Sequence, residues 1–186
     1  MRAARGAAAR PGAKGVETAR LFLALWPGEA TRRAIADAAA AWQWPRASRR
    51  VAPDKLHATL HFLGAVARER VDEIADGMRV SETQPCVLRL DAAALWPRGI
   101  AVIEASKPPD ELLALHAALA TRLRALRIAL ERRRWRAHVT LARDAIGAVP
   151  PSRLEPIDWP VGGYALVASR LGPPATYELL RRYPAG

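Results

Sequence analysis

Two strand-like segments, HATL beginning at His57 and HVTL beginning at His138, repeat one pattern 81 positions apart. Each follows a helical stretch and then a polar loop carrying several arginines. On an extended strand side chains alternate between faces, so His57 and Thr59 point one way while Ala58 and Leu60 point the other. His138 and Thr140 oppose Val139 and Leu141 in the same manner. A chain with two such segments needs two strands that each press an apolar side into a core and leave an imidazole and a hydroxyl on the free side. That predicts a mixed α+β arrangement of two similar halves, with helices covering one face of each sheet.

The rest of the chain fits around those strands. Residues 20–26 read as a short strand ended by Pro27-Gly28, and residues 29–42 as an Ala-rich helix. A polar loop over 44–53 carries Arg46, Arg49 and Arg50 before the first motif strand, 55–64. Val71, Ile74 and Met78 recur at helical spacing within residues 68–80. Strands over 86–96 and 100–105 flank a Pro97-Arg98-Gly99 hairpin turn. A long helix is expected over 109–130, opened by Pro109 and Asp110-Glu111 and buried along Leu112, His116, Leu119, Leu123, Leu126 and Leu130. The basic run 131–136 leads into the second motif strand, 138–143, and two strands near 164–171 and 176–183 close the chain. Residues 1–18 read as a flexible basic tail, leaving 19–186 as a single folded domain.

With 29 Lys and Arg against 18 Asp and Glu, the 186 residues carry a formal charge of +11, which favours a polyanionic partner such as RNA, DNA or a phosphorylated metabolite. One cysteine, Cys86, excludes an intramolecular disulfide and a Cys-based zinc cluster, and it reads as a small buried hydrophobe at a strand start. No apolar run reaches the ~20 residues that a membrane helix needs. The expectation is a soluble, cytoplasmic protein with no membrane role.

If the halves pack about an approximate two-fold axis, two imidazoles and two hydroxyls converge on one cleft. One neutral imidazole could then take a proton from an attacking oxygen while the other, protonated, donates to a leaving oxygen. An unperturbed His pKa of ~6.5 permits both forms near neutrality. Threonine hydroxyls and an arginine suit phosphate oxygens. The residues alone leave two readings open: a paired acid/base site, or two unrelated half-buried histidines.

The segments RLFLALW, KLHATLHFLG, LWPRG, PPDELLALHAALATRLRAL, HVTLAR and ATYELLRRYP, spanning Arg20 to Pro184, together resemble the two-histidine (HxTx) phosphoesterase superfamily. Within it the chain is similar to the RNA 2′,3′-cyclic phosphodiesterases, historically named 2′-5′ RNA ligases. The resemblance implies a bilobal α+β fold of two pseudo-symmetric lobes, each an antiparallel sheet covered by helices, with a central cleft. It also implies metal-independent, cofactor-free opening of a terminal 2′,3′-cyclic phosphate to a 2′-phosphate, with 2′-5′ ligation as the reverse. By motif position His57 would donate the proton to the departing 3′-oxygen, and His138 would accept one from water. Thr59, Thr140 and Arg143 would hold the phosphate. The implied partners are RNA ends bearing a cyclic phosphate, tRNA fragments among them, and the implied state is a monomer.

Two features depart from that pattern. Ala137 stands where relatives commonly have proline, and strict alternation sends Arg143 to the face opposite His138, so a bulge, a twist or the strand end must bring it round. His61 is expected at the cleft edge or on the surface, because four residues of strand span ~13 Å, too far for His57 and His61 to share a zinc ion. His116 is expected to be hydrogen-bonded and partly buried. Phe22 and Trp135 are aromatic positions that either stack on a terminal base or pack in the core; Trp96 and Trp159 carry no functional signal. Two competing functions remain at this level: a non-catalytic RNA-binding module, and a phosphodiesterase of the same superfamily acting on a cyclic nucleotide or an ADP-ribose cyclic phosphate.

Overall fold

Alternating apolar residues in the first strand set its place in the fold, because Leu21, Leu23 and Leu25 are all essentially inaccessible and join one large core. The computed structural model describes residues 17–80, 83–170, 172 and 176–185. Its strands are β1 (Thr18–Leu25), β2 (Arg49–Arg50), β3 (Ala58–Ala67), β4 (Cys86–Leu90), β5 (Ala92–Trp96), β6 (Ile100–Glu104), β7 (His138–Arg143), β8 (Ile157–Val161), β9 (Gly163–Arg170) and β10 (Thr176–Pro184). Its helices are α1 (Glu29–Ala40), α2 (Val71–Gly77) and α3 (Asp110–Ala125).

The main sheet runs β10-β9-β1-β3-β7-β6-β5, with β2 added to β7, and all its pairs are antiparallel. It is two half-sheets meeting at the motif strands. β3 ends the half made with β1, β9 and β10, and β7 ends the half made with β6 and β5. One residue pair, Ala58 opposite Val139, joins them. Ile35 of α1, Ile74 of α2 and Leu112, Leu115, Leu119 and Leu123 of α3 share the large core with the inward residues of both halves. Burying side chains of this kind contributes roughly 1.5–3 kcal/mol each. The two-lobed α+β architecture expected from the sequence is therefore present, with the helices gathered on one side of the sheet. A second, smaller cluster of Phe22, Ala24, Ala165 and Val167 lies on the other side.

Several elements differ from the sequence reading, each for a local reason. The single strand expected over 86–96 is two strands in different sheets, β4 pairing with β8 and β5 with β6. The break falls at Asp91, whose carboxylate accepts from the backbone N–H and the hydroxyl of Ser106 at 2.8 and 2.6 Å. Helix α3 stops at Ala125 because Arg127 adopts a left-handed φ of 57°. Ile128 N–H then returns to Leu123 and Arg127 N–H to Arg124, both at 2.9 Å, which closes the helix in a Schellman motif without glycine. The polar loop before β3 contributes the short strand β2, and β8 was not expected. Of the expected tail, residues 1–16 lie outside the described residues, whereas Thr18 already pairs with Ala67 in β1. Among the described residues no helix is long and apolar enough to cross a membrane.

His61 is not at the cleft edge. It is 8% exposed and lies on the helix side of the sheet, where its Nε2–H donates to the His116 carbonyl at 2.9 Å. Its ring stacks on His116 at 4.0 Å, and His116 stacks on Trp135 at 4.5 Å. Trp135 in turn donates from Nε1 to the Thr59 carbonyl at 2.9 Å, so this residue fastens the motif strand. Burial pushes His116 down to about 4, with the neighbouring His61 acting in the same direction. The unfolded chain, with His near 6.5, then binds more protons than the folded one between those values, so stability is full above pH 6.5 and drains as pH falls toward 4. Discounting for the partial exposure of the ring, the expected loss is on the order of 2 kcal/mol. Urea unfolding from pH 7 to pH 4 should show it. The acid loss should be smaller in His116→Gln, and an identical slope in that variant would contradict this role.

Candidate active site

The Ala58–Val139 pair fixes the site. Both residues are fully buried on the core side. The same antiparallel register sets His57 opposite Thr140 and Thr59 opposite His138, all four rising from the other face. His57 and His138 are then diagonal neighbours, on the order of 7–8 Å apart at the backbone. Each of these four side chains is partly exposed. The two halves thus bring both motifs to one seam.

The imidazoles are held alike. Nδ1–H of His57 donates to the Lys55 carbonyl at 2.7 Å, and Nδ1–H of His138 donates to the Arg136 carbonyl at 2.7 Å. Using Nδ1 in this way leaves Nε2 of each neutral ring as a free acceptor, or as a donor once protonated. The entry to β7 is firm even with Ala137 in place of proline, since Ala137 is fully buried and its carbonyl accepts from Ala105 N–H at 2.9 Å.

Both motif strands also bulge at the same place. In β3, Ala24 pairs with Thr59 but Leu23 pairs with His61, so Leu60 is the extra residue. In β7, Val102 pairs with Thr140 but Ala101 pairs with Ala142, so Leu141 is the extra residue. A one-residue bulge reverses the alternation beyond it. That is why His61 turns into the core, and why Ala142 is buried there with Ala101. It also returns Arg143 to the histidine face, where it is exposed and acts electrostatically on His57. Phe62 occupies the corresponding place after the first bulge and packs against the smaller apolar cluster.

The walls around the two rings differ. His57 lies among Phe22 at 4.9 Å, a parallel Trp26 at 5.5 Å and an edge-on Tyr177 at 5.4 Å between ring centroids. His138 lies against Trp96 at 4.4 Å. Trp26, Tyr177 and Trp96 come from strand ends distant in sequence, and no local pattern marked them. Phe22 therefore packs beside the site, and Trp135 beneath it. Two grooves lie elsewhere, one of about 610 Å³ between α1 and residues 151–158 and one of about 510 Å³ by the start of β1, and neither is lined by a histidine. Among the described residues no group of three or more His, Cys, Asp or Glu side chains is placed to hold a metal ion.

Burial lowers the pKa of His57, and His138 and Arg143 add to that effect against the Lys55 hydrogen bond. Burial lowers His138 as well, opposed by the Arg136 carbonyl and by Glu104, while Arg133 and Arg136 push it further down. With both groups below 6.5, the singly protonated pair is most populated in mildly acidic solution. A bell-shaped kcat/KM profile with its maximum below about pH 6.5 is the expected result. An anionic phosphate between the rings favours the imidazolium, so the kcat maximum should lie at higher pH. Rates measured from pH 4 to 9 check both points, and a monotonic rise through pH 9 would contradict them.

The chain is similar to known proteins along most of its length. Residues 25–102 match the family model described as LigT like Phosphoesterase. The RNA 2′,3′-cyclic phosphodiesterase of Thermus thermophilus is 33% identical over 177 residues, covering 88% of this chain and 89% of that protein. The Escherichia coli protein of the same name is 33% identical over 138 residues, 73% of this chain and 78% of the relative. Among solved structures, E. coli LigT complexed with 3′-AMP superposes with a TM-score of 0.78 at 27% identity, covering 91% of this chain and 99% of that one. The seam of two His-x-Thr strands and the likeness along nearly the whole chain lead to one assignment: this chain belongs to the LigT-like phosphoesterase family.

Proposed function

We propose that the chain hydrolyses RNA ends bearing a 2′,3′-cyclic phosphate to 2′-phosphate ends by two-histidine acid/base catalysis without a metal ion. The observation that carries this reading is the shared register of β3 and β7, with His57, Thr59, His138 and Thr140 on one face and a free Nε2 on each ring. His138 Nε2 takes a proton from water as its oxygen bonds to phosphorus. His57 Nε2–H gives its proton to the 3′-oxygen as the P–O3′ bond breaks. Thr59 and Thr140 hydrogen-bond the non-bridging oxygens, and Arg143 balances the charge that gathers there. With a 5′-hydroxyl as the nucleophile in place of water, and the P–O3′ bond breaking in the same way, the same pair would form a 2′-5′ linkage and leave a 3′-hydroxyl.

Several features support RNA as the partner. The formal charge is +11. Arg46, Arg49, Arg50, Arg132, Arg133 and Arg134 are exposed before the two motif strands, and β2 sets Arg49 opposite Arg143. Contacts of that kind make affinity fall with salt. Both motifs come from one chain, which supports action as a monomer.

An oligoribonucleotide ending in a 2′,3′-cyclic phosphate tests the reading. The expected product gains one water and carries its monoester on the 2′-oxygen, with turnover unchanged by EDTA. A 3′-phosphate product would overturn the bond assignment, and loss of activity with EDTA would overturn the metal-free step. Binding without turnover would favour the RNA-binding module. Faster hydrolysis of a cyclic nucleotide or an ADP-ribose cyclic phosphate would keep the chemistry and replace the substrate.

A further inference from the structure

Glu104 is the direct cross-strand partner of His138, so its side chain rises on the histidine face. A carboxylate is out of character there. The rest of β6 is apolar, and Glu104 is only 8% exposed. Oε1 accepts from Arg136 Nη2, while Oε2 is buried with no hydrogen-bond partner. Leaving a buried acceptor unpaired costs free energy that an apolar residue at this position would avoid. Something other than packing has to account for it.

The neighbours show what the carboxylate does. The Arg136 guanidinium lies over Trp96, 4.6 Å from the ring centroid, and Trp96 rests on His138. Arg136 also receives the His138 Nδ1–H at its carbonyl. Glu104 thus anchors the residue that holds the imidazole through its backbone and the tryptophan through its side chain. Around His138 stand His57 just before β3, Thr59 of β3, Thr140 and Arg143 of β7, Trp96 of β5, Glu104 of β6, and Arg133 and Arg136 of the preceding loop. Glu104 alone among these groups is negative. Against burial, Arg133 and Arg136, its charge favours the protonated ring.

We propose that Glu104 is a positioning residue for His138, anchoring Arg136 and Trp96 about the ring and balancing the imidazolium that forms when His138 accepts the proton of the attacking water. This rests on the reading of His138 as proton acceptor. In the step, the O–H bond of water breaks, the proton joins Nε2, and the positive charge develops beside the carboxylate.

Glu104→Gln keeps the shape and removes the charge. The expected result is a kcat about tenfold lower with KM within twofold, and a His138 titration, followed by NMR of labelled imidazoles, displaced to lower pH. Glu104→Asp, which restores charge at shorter reach, should recover part of both. A folded Glu104→Gln in which His138 titrates and turns over as in the parent protein would overturn the proposal. If that variant does not fold, Glu104→Asp decides: with its carboxylate drawn back from Arg136 it should show a lowered kcat and a displaced His138 titration, and parent values of both would overturn the proposal. His138→Ala separates the two readings. If it retains turnover, the acceptor role itself fails. If it is inactive while Glu104→Gln behaves as the parent, only the role of Glu104 fails.

Discussion

Replacing either motif histidine by alanine should lower turnover on a cyclic-phosphate RNA end by about three orders of magnitude, within the 10²–10⁴ typical of a positioned proton donor or acceptor. On the proposed mechanism each ring does one half of a coupled proton transfer, so losing one leaves the other with nothing to complete. The double variant should accordingly be little worse than either single one. The fold should survive, because both rings rise from the face opposite the large core, which is built from Leu21, Leu23, Leu25, Val139 and their neighbours. His57 also packs among Phe22, Trp26 and Tyr177, so His57→Gln is the better-filled control. Circular dichroism and a melting curve establish folding, and product formation under single-turnover conditions measures the step. Near-normal rates in either folded variant would remove the acid/base pair.

Arg143→Ala should lower kcat/KM by about a hundredfold, with Arg143→Lys recovering part of it. Charge builds on the non-bridging oxygens as water adds to phosphorus, and a guanidinium can meet two of them at once where an ammonium meets one. The prediction depends on the bulge at Leu141, since without that extra residue Arg143 would share the side of Val139 and Leu141. A change of less than threefold, at a salt concentration that leaves RNA binding measurable, would show that the arginine lies outside the reaction.

The motif strands and their helices were legible because period-two alternation and Gly or Pro stops are local signals. His138–Arg143 is one strand, as HVTLAR suggested. What was illegible came from pairing and from turns. The bulges at Leu60 and Leu141 exist only relative to β1 and β6, so no reading of β3 or β7 alone could send His61 inward or Arg143 outward. The end of α3 was missed because Arg127 takes a left-handed conformation usually left to glycine. Trp26, Trp96, Tyr177 and Glu104 reach the histidines through strand order, which a linear pattern does not carry. A charged residue closing the otherwise apolar run IAVIE was the one visible sign that Glu104 stood apart.

The most direct test is a crystal structure with a phosphate or vanadate mimic of the reacting group bound at the seam. Nε2 of His57 and Nε2 of His138 should each lie within about 3 Å of a different oxygen on one central atom, on opposite sides of it. A mimic seated on one ring alone, or in a groove that neither ring reaches, would contradict the pairing.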